Sequence, residues 1–141
     1  MRRAALRSQG LTVSEKAVLQ SLHRYVVMTR AGAAMFPRES GSGVSWRGRC
    51  QKCDRERWLQ VSHIYPVGRY PGMRYDSDNA FAFCWGCHFS WWHKHTIEAT
   101  EWARTHHGER CRTLYMRSQL NARTKIDFVT TKLFLEQEVR R

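Results

Sequence analysis

The chain has 141 residues, with 24 Lys and Arg against 12 Asp and Glu, a formal net charge of +12. That length is one domain's worth with arms, and no apolar run approaches the ~18 residues a bilayer span requires. The basic start lacks an apolar segment and a cleavage site, which excludes a secretory signal, and so large a positive excess points to a polyanionic partner, most commonly nucleic acid.

The excess is uneven. Residues 1–49 hold nine basic and two acidic side chains, for +7, against +2 in 50–95 and +3 in 96–141. Met1–Gly10 reads as a frayed basic lead-in. From Ser14, a plausible N-cap, apolar residues at Ala17, Val18, Leu22, Tyr25 and Val26 have helical spacing and predict a helix that fades near Arg30–Gly32. Pro37–Gly43 has loop composition and reads as a hinge. Residues 1–43 are thus expected to form a basic helical arm.

Val44–Arg49 leads into C-Q-K-C at Cys50 and Cys53. The alternation of Trp58, Val61 and Ile64 predicts a short strand. Tyr65–Tyr75, with two Pro and two Gly, is a loop. Asp76–Asn79 is a turn, and Ala80–Phe83 a second strand that ends at Cys84. A helix is expected from Cys87 through F-S-W-W-H-K-H, as far as His95. Thr96 is expected to cap a further helix over 97–107, with Gly108 at its C′ position. Trp85, Trp91, Trp92 and Trp102 read as core, and His106 and His107 as structural histidines at a helix end. Residues 109–141 form a C-terminal extension of one or two helices, with Leu114, Leu120, Ile126, Val129, Leu133 and Phe134 as apolar positions.

The chemistry concentrates in the middle segment, 44–108. Cys50/Cys53 and Cys84/Cys87 are two C-x-x-C pairs about thirty residues apart, the spacing of a structural Zn²⁺ bound by four thiolates. Without a secretory signal, metal binding in a reduced, cytoplasmic compartment is expected rather than disulfides. Cys111 is left over and reads as a small buried hydrophobe. Knuckle, two strands, second knuckle and helix describe an α+β treble clef, too small to be stable without its metal. His63 stands on the first strand, Asn79 before the second, and His88 directly after the last thiolate.

With V-S-H-I-Y-P and R-Y-D-S-D-N-A-F-A-F-C-W-G-C-H, residues 50–108 resemble the HNH, or His-Me finger, endonucleases, in particular zinc-stapled phage recombination nucleases of the NinG type. The resemblance implies a ββα-metal core flanked by helices. It also implies a metal-dependent enzyme that hydrolyses DNA phosphodiesters, on branched, recombining or packaging DNA in a phage-infected cell's cytoplasm. By it, His63 activates water, Asn79 holds the loop that orients His63, and His88 binds a catalytic divalent cation, Mg²⁺ or Mn²⁺. Many HNH motifs carry Asp before the base, where this chain has Ser62. The cation's ligands are therefore taken as His88, His93 and Ser62, with Asp76, Asp78 and His95 as substitutes. Loop arginines suit phosphate contact, so Arg69 and Arg74, with Lys94, are taken to hold DNA. The alternative is a treble-clef zinc module that binds nucleic acid without cutting it. The terminal helices either build a homodimer interface or wrap the module.

Overall fold

The computed structural model describes residues 10–141. The expected lead-in, apart from Gly10, lies outside the described residues. Helix α1 (Val13–Arg30) is started by Thr12 rather than Ser14. The Thr12 hydroxyl accepts from the Glu15 N–H at 3.1 Å, and the Glu15 carboxylate accepts from the Thr12 N–H at 2.8 Å. This reciprocal pair closes two of the orphan donors of the first turn. The buried stripe of α1 is Leu19, His23, Val26, Val27 and Met28. Val18 and Tyr25, expected inside, are exposed.

Strands β1 (Ala34–Pro37) and β2 (Val44–Arg49) pair antiparallel, with Ala34 opposite Arg47 and Pro37 opposite Val44. The Gly/Ser-rich stretch expected to be a hinge is therefore the turn of a hairpin. Gly48 is required where β2 passes Ala33, because a Cβ there would stand 2.9 Å from the Ala33 Cα. Strand β3 (Glu56–His63) pairs with β2 and then with β4 (Ala80–Cys84), giving one antiparallel sheet in the order β1-β2-β3-β4.

Residues opposite one another across strands share a face. Trp46, Leu59 and His63 turn toward α1, where Tyr25 meets Trp46 edge-on at 5.6 Å and His23 meets His63. The other face carries Ser62 opposite Phe81 and Gln60 opposite Phe83. Phe81 and Phe83 are fully buried and pack on Trp92 and Trp102 at ring separations of 5.3–5.9 Å. Each such phenylalanine contributes ~1.5–3 kcal/mol by burial. Trp91 joins this cluster, but Trp85 does not; it is 61% exposed.

The helix expected after Cys87 is a π-helical segment, Gly86–Trp92. Helix α2 (Thr96–His106) starts without a side-chain cap, and His95, not Thr96, occupies its N-cap position. Gly108 does not terminate α2 but opens α3 (Gly108–Asn121), and α4 (Phe128–Val139) follows. Leu135 of α4 packs with Leu19 and Val26 of α1 and with Tyr75 in a second core. The two terminal segments thus meet each other, and Leu120, Val129, Leu133 and Phe134 are left exposed. The loop 65–75 is held against α3 at Gly72, whose N–H donates to Ala122 O at 2.8 Å. A Cβ at Gly72 would run into the Asn121 carbonyl. No helix among the described residues is long and apolar enough to cross a membrane.

Candidate metal centre and active-site cleft

The turn after β2 carries Cys50 and Cys53, and the end of β4 with the start of the π segment carries Cys84 and Cys87. Antiparallel pairing of β3 with β4 brings these two pairs together although thirty residues separate them. All four sulfurs lie within 4.8 Å of one another, with Cys53 Sγ and Cys84 Sγ 3.9 Å apart. Tetrahedral Zn–S bonds of ~2.3 Å require sulfurs roughly 3.8 Å apart, so the cluster is dimensioned for a metal ion such as zinc. Backbone N–H groups support it: Cys84 N–H donates to Cys50 Sγ at 3.3 Å and Cys87 N–H to Cys84 Sγ at 3.5 Å. Burial, with the neighbouring thiols of Cys84, Cys50 and Cys53, pushes the Cys87 thiol far up. A cation bound among the four sulfurs would reverse that preference.

His63 ends β3. One ring nitrogen donates to the Arg74 carbonyl at 3.0 Å. A carbonyl only accepts, so that nitrogen carries the proton and the other keeps its lone pair. Burial, foremost, and the nearby Arg74 charge hold His63 below the usual imidazole range, offset in part by that hydrogen bond. Its ring lies parallel to that of His23 at 5.6 Å. His23 in turn donates to the Asp76 carbonyl at 3.2 Å, and burial drives its pKa down to about 4.

Asn79 is wholly buried behind this loop. Its Oδ1 accepts from the Tyr65 N–H at 2.8 Å, and its Nδ2 donates to Tyr65 O and Met73 O, both at 3.1 Å. One side chain thus ties together both ends of the Tyr65–Met73 excursion that carries Arg74 to His63.

His88 lies in the π segment with its Nδ1–H on Gln60 Oε1 at 2.9 Å, which leaves Nε2 free. The wider π turn sets His93 beside it, ring centroids 4.8 Å apart. Burial and the proximity of His93 and His63 lower the His88 pKa. Ser62, expected as a third ligand, is fully buried on the aromatic face, and its hydroxyl has no hydrogen-bond partner. Strand alternation turns it away from His63. Asp76 and Asp78 are not available either. Arg117 binds Asp76 at 2.8 and 2.9 Å and Asp78 at 2.8 Å, and Arg30 also reaches Asp78. His95 is exposed in the turn before α2. Among the described residues, only the four cysteines converge as a metal-ligand group of three or more.

β2 accompanies β3 only as far as Leu59, so Gln60–His63 has no strand on that side. A cleft of about 740 Å³ opens there, with His23, His63 and His88 in its wall. Lys16, Arg24, Arg38 and Arg74 also line it, and among the described residues no carboxylate does. Of the three cations expected to hold nucleic acid, only Arg74 is in this cleft. Arg69 lines a different one, and Lys94 is exposed in the turn before α2. His23 and the α1 cations were missed because charge counting treats residues 1–49 as an arm. The signal for His23 was its spacing, four residues after Leu19 and three before Val26, on the helix's inward face.

No protein family, curated protein or solved structure matches the chain.

Proposed function

We propose that the chain is a zinc-stapled HNH-type endonuclease that hydrolyses phosphodiester bonds of DNA. One observation carries this reading. A histidine with one nitrogen fixed by a backbone carbonyl, on a loop clamped by a buried asparagine, opens onto a cation-lined cleft free of carboxylates. The thiolate cluster, the β3–β4 hairpin and the π segment then correspond to the knuckle, hairpin and helix of a treble-clef ββα core, with zinc as the structural ion.

In this reading Lys16, Arg24, Arg38 and Arg74 draw the phosphate backbone into the cleft. His63, largely neutral at pH 7, takes a proton from a water through its free nitrogen as that water attacks phosphorus. The P–O3′ bond breaks, and the departing oxygen is protonated by solvent. A divalent cation at His88 would offset charge on the phosphoryl oxygens. The residues fit such an ion in part: His88 Nε2 is free and His93 adjoins it, but no carboxylate joins them. Imidazole donors suit Ni²⁺ or Zn²⁺ better than the oxygen-seeking Mg²⁺. A cytoplasmic setting agrees with cysteines kept as metal-binding thiols.

The engagement of Asp76 and Asp78 by Arg117 favours a second reading, a zinc module that binds nucleic acid and does not cut it. The two readings separate on plasmid cleavage. Metal-dependent cutting abolished in His63→Ala supports the enzyme, and salt-sensitive binding without cutting supports the module.

A further inference from the structure

Ile64, Tyr65 and Pro66, which follow His63 in the chain, line a second cleft of about 870 Å³. Its size falls in the range of ligand sites, roughly 300–1,000 Å³. Tyr65, Tyr70 and Tyr115 wall it, with Arg69, Arg104 and Arg112 around them and, among the described residues, no carboxylate in the lining. Arg69 and Arg112 make no ion pair among the described residues, and Arg104 has only Glu101 at 3.7 Å, both largely exposed. Tyr65 and Tyr70 are already locked edge to face at 4.9 Å, whereas Tyr115 is 60% exposed. Trp92 belongs to the same lining and donates its indole N–H to the His63 carbonyl at 3.1 Å. The cleft is thereby tied to the strand end that carries the candidate base.

Aromatic surface ringed by guanidinium groups, two of them without an ion pair among the described residues, matches a nucleobase and its flanking phosphates. Duplex DNA keeps its base faces stacked inside and offers only phosphates to such a site, whereas an unpaired nucleotide offers both. We infer that this second cleft binds an unpaired nucleotide of a nucleic-acid strand, next to the phosphate presented to His63. The inference rests on reading the chain as acting on nucleic acid, but it does not require that the chain cut it.

The test uses the full zinc-loaded chain with no further divalent cation added, so that the structural metal stays in place and binding is read without cleavage. Fluorescence anisotropy follows a labelled 12-nucleotide single strand and a 12-base-pair duplex, for wild type and for Tyr115→Ala. Tyr115 is exposed, so the substitution leaves the core intact, and circular dichroism checks this. Loss of one stacked base lowers single-strand affinity by about tenfold, with the duplex changed less than twofold. Arg112→Ala weakens both and flattens the single-strand salt dependence by about 0.7 in slope. Unchanged single-strand affinity in Tyr115→Ala, or an equal loss on both substrates, overturns the assignment. So does a nucleoside monophosphate that binds as tightly as the strand, since the cleft would then be a mononucleotide site. Loss of cutting in His63→Ala with these affinities intact leaves the assignment standing. Absence of any cutting with the selective loss still present sinks the nuclease reading alone.

Discussion

The imidazole rings of His23 and His63 lie 5.6 Å apart and within 1° of parallel, one from the buried face of α1 and the other from the end of β3. Each is held by a backbone carbonyl of the same loop, Asp76 for His23 and Arg74 for His63. Two stacked imidazoles cannot both be charged at this distance without repulsion, and burial already disfavours the charge on each. Burial, foremost, therefore favours neutral His63, the state in which it accepts a proton, and the nearness of His63 adds to burial in lowering His23.

This arrangement fixes a pH dependence. His23 titrates near 6.5 in the unfolded chain and at about 4 in the fold. Between those values the unfolded chain binds more protons, so stability is complete above pH 6.5 and falls as pH drops toward 4. The loss amounts to about 3 kcal/mol at most, with a slope approaching 1.4 kcal/mol per pH unit. Urea unfolding of wild type and His23→Gln across pH 7 to 4 reads it. Gln retains a donor for the Asp76 carbonyl but does not titrate, so its curve is expected to be flatter. Acid release of a metal is common to both proteins and cancels. Parallel curves would remove His23 as the titrating group.

The thiolate cluster predicts a metal content. The purified chain is expected to hold one zinc by elemental analysis, and Cys53→Ser or Cys84→Ser to lose both the metal and cooperative thermal unfolding. Structural zinc contributes on the order of 10 kcal/mol to small domains of this kind, more than a domain's usual margin. A fully stable serine variant would show that the aromatic core around Phe81 and Phe83 holds the sheet unaided.

Much of the site was legible because it is local. C-x-x-C spacing, the strand period around His63 and the turn at Asn79 all act within a few residues, and the structure assembles the four cysteines as the spacing implies. What was not legible depends on long-range packing. In the hairpin of β1 and β2, β1 is four exposed residues and β2 offers Trp46 as its one large buried side chain, so their sequence carries little alternation. The stripe of α1 is rotated because it serves both the sheet and Leu135 of α4, more than a hundred residues away. The commitment of Asp76 and Asp78 could not be read without knowing that α3 delivers Arg117 to them. Ser62 could be placed by strand alternation alone, which puts it on the opposite face from His63.

Asn79, itself fully buried, makes three hydrogen bonds across its loop. Asn79→Ala leaves the Tyr65 N–H and two carbonyls without it, a cost of about 2–4 kcal/mol. Hydrogen exchange is expected to accelerate over residues 64–76 before any other segment. Exchange rising only with global unfolding would show that the loop is held by Gly72 and α3 instead.

On the proposed reading, the cleft cations carry the electrostatic contact with nucleic acid. Arg24→Ala and Arg38→Ala are each expected to reduce the slope of log affinity against log salt on duplex DNA by about 0.9. Lys94→Ala, outside the cleft, is expected to leave it nearly unchanged. A larger effect from Lys94 than from Arg24 would move the binding face to the α2 side of the molecule.

The most direct measurement is cleavage of supercoiled plasmid and a four-way junction by wild type and His63→Ala, with Mg²⁺, Mn²⁺, Ni²⁺ or EDTA. Metal-dependent cutting is expected for wild type, stronger with Ni²⁺ than with Mg²⁺, and reduced at least ~100-fold in His63→Ala, with DNA affinity unchanged. Cutting that survives in His63→Ala, or DNA bound by wild type and left intact with every metal, would contradict the assignment of His63 as the base of a nuclease.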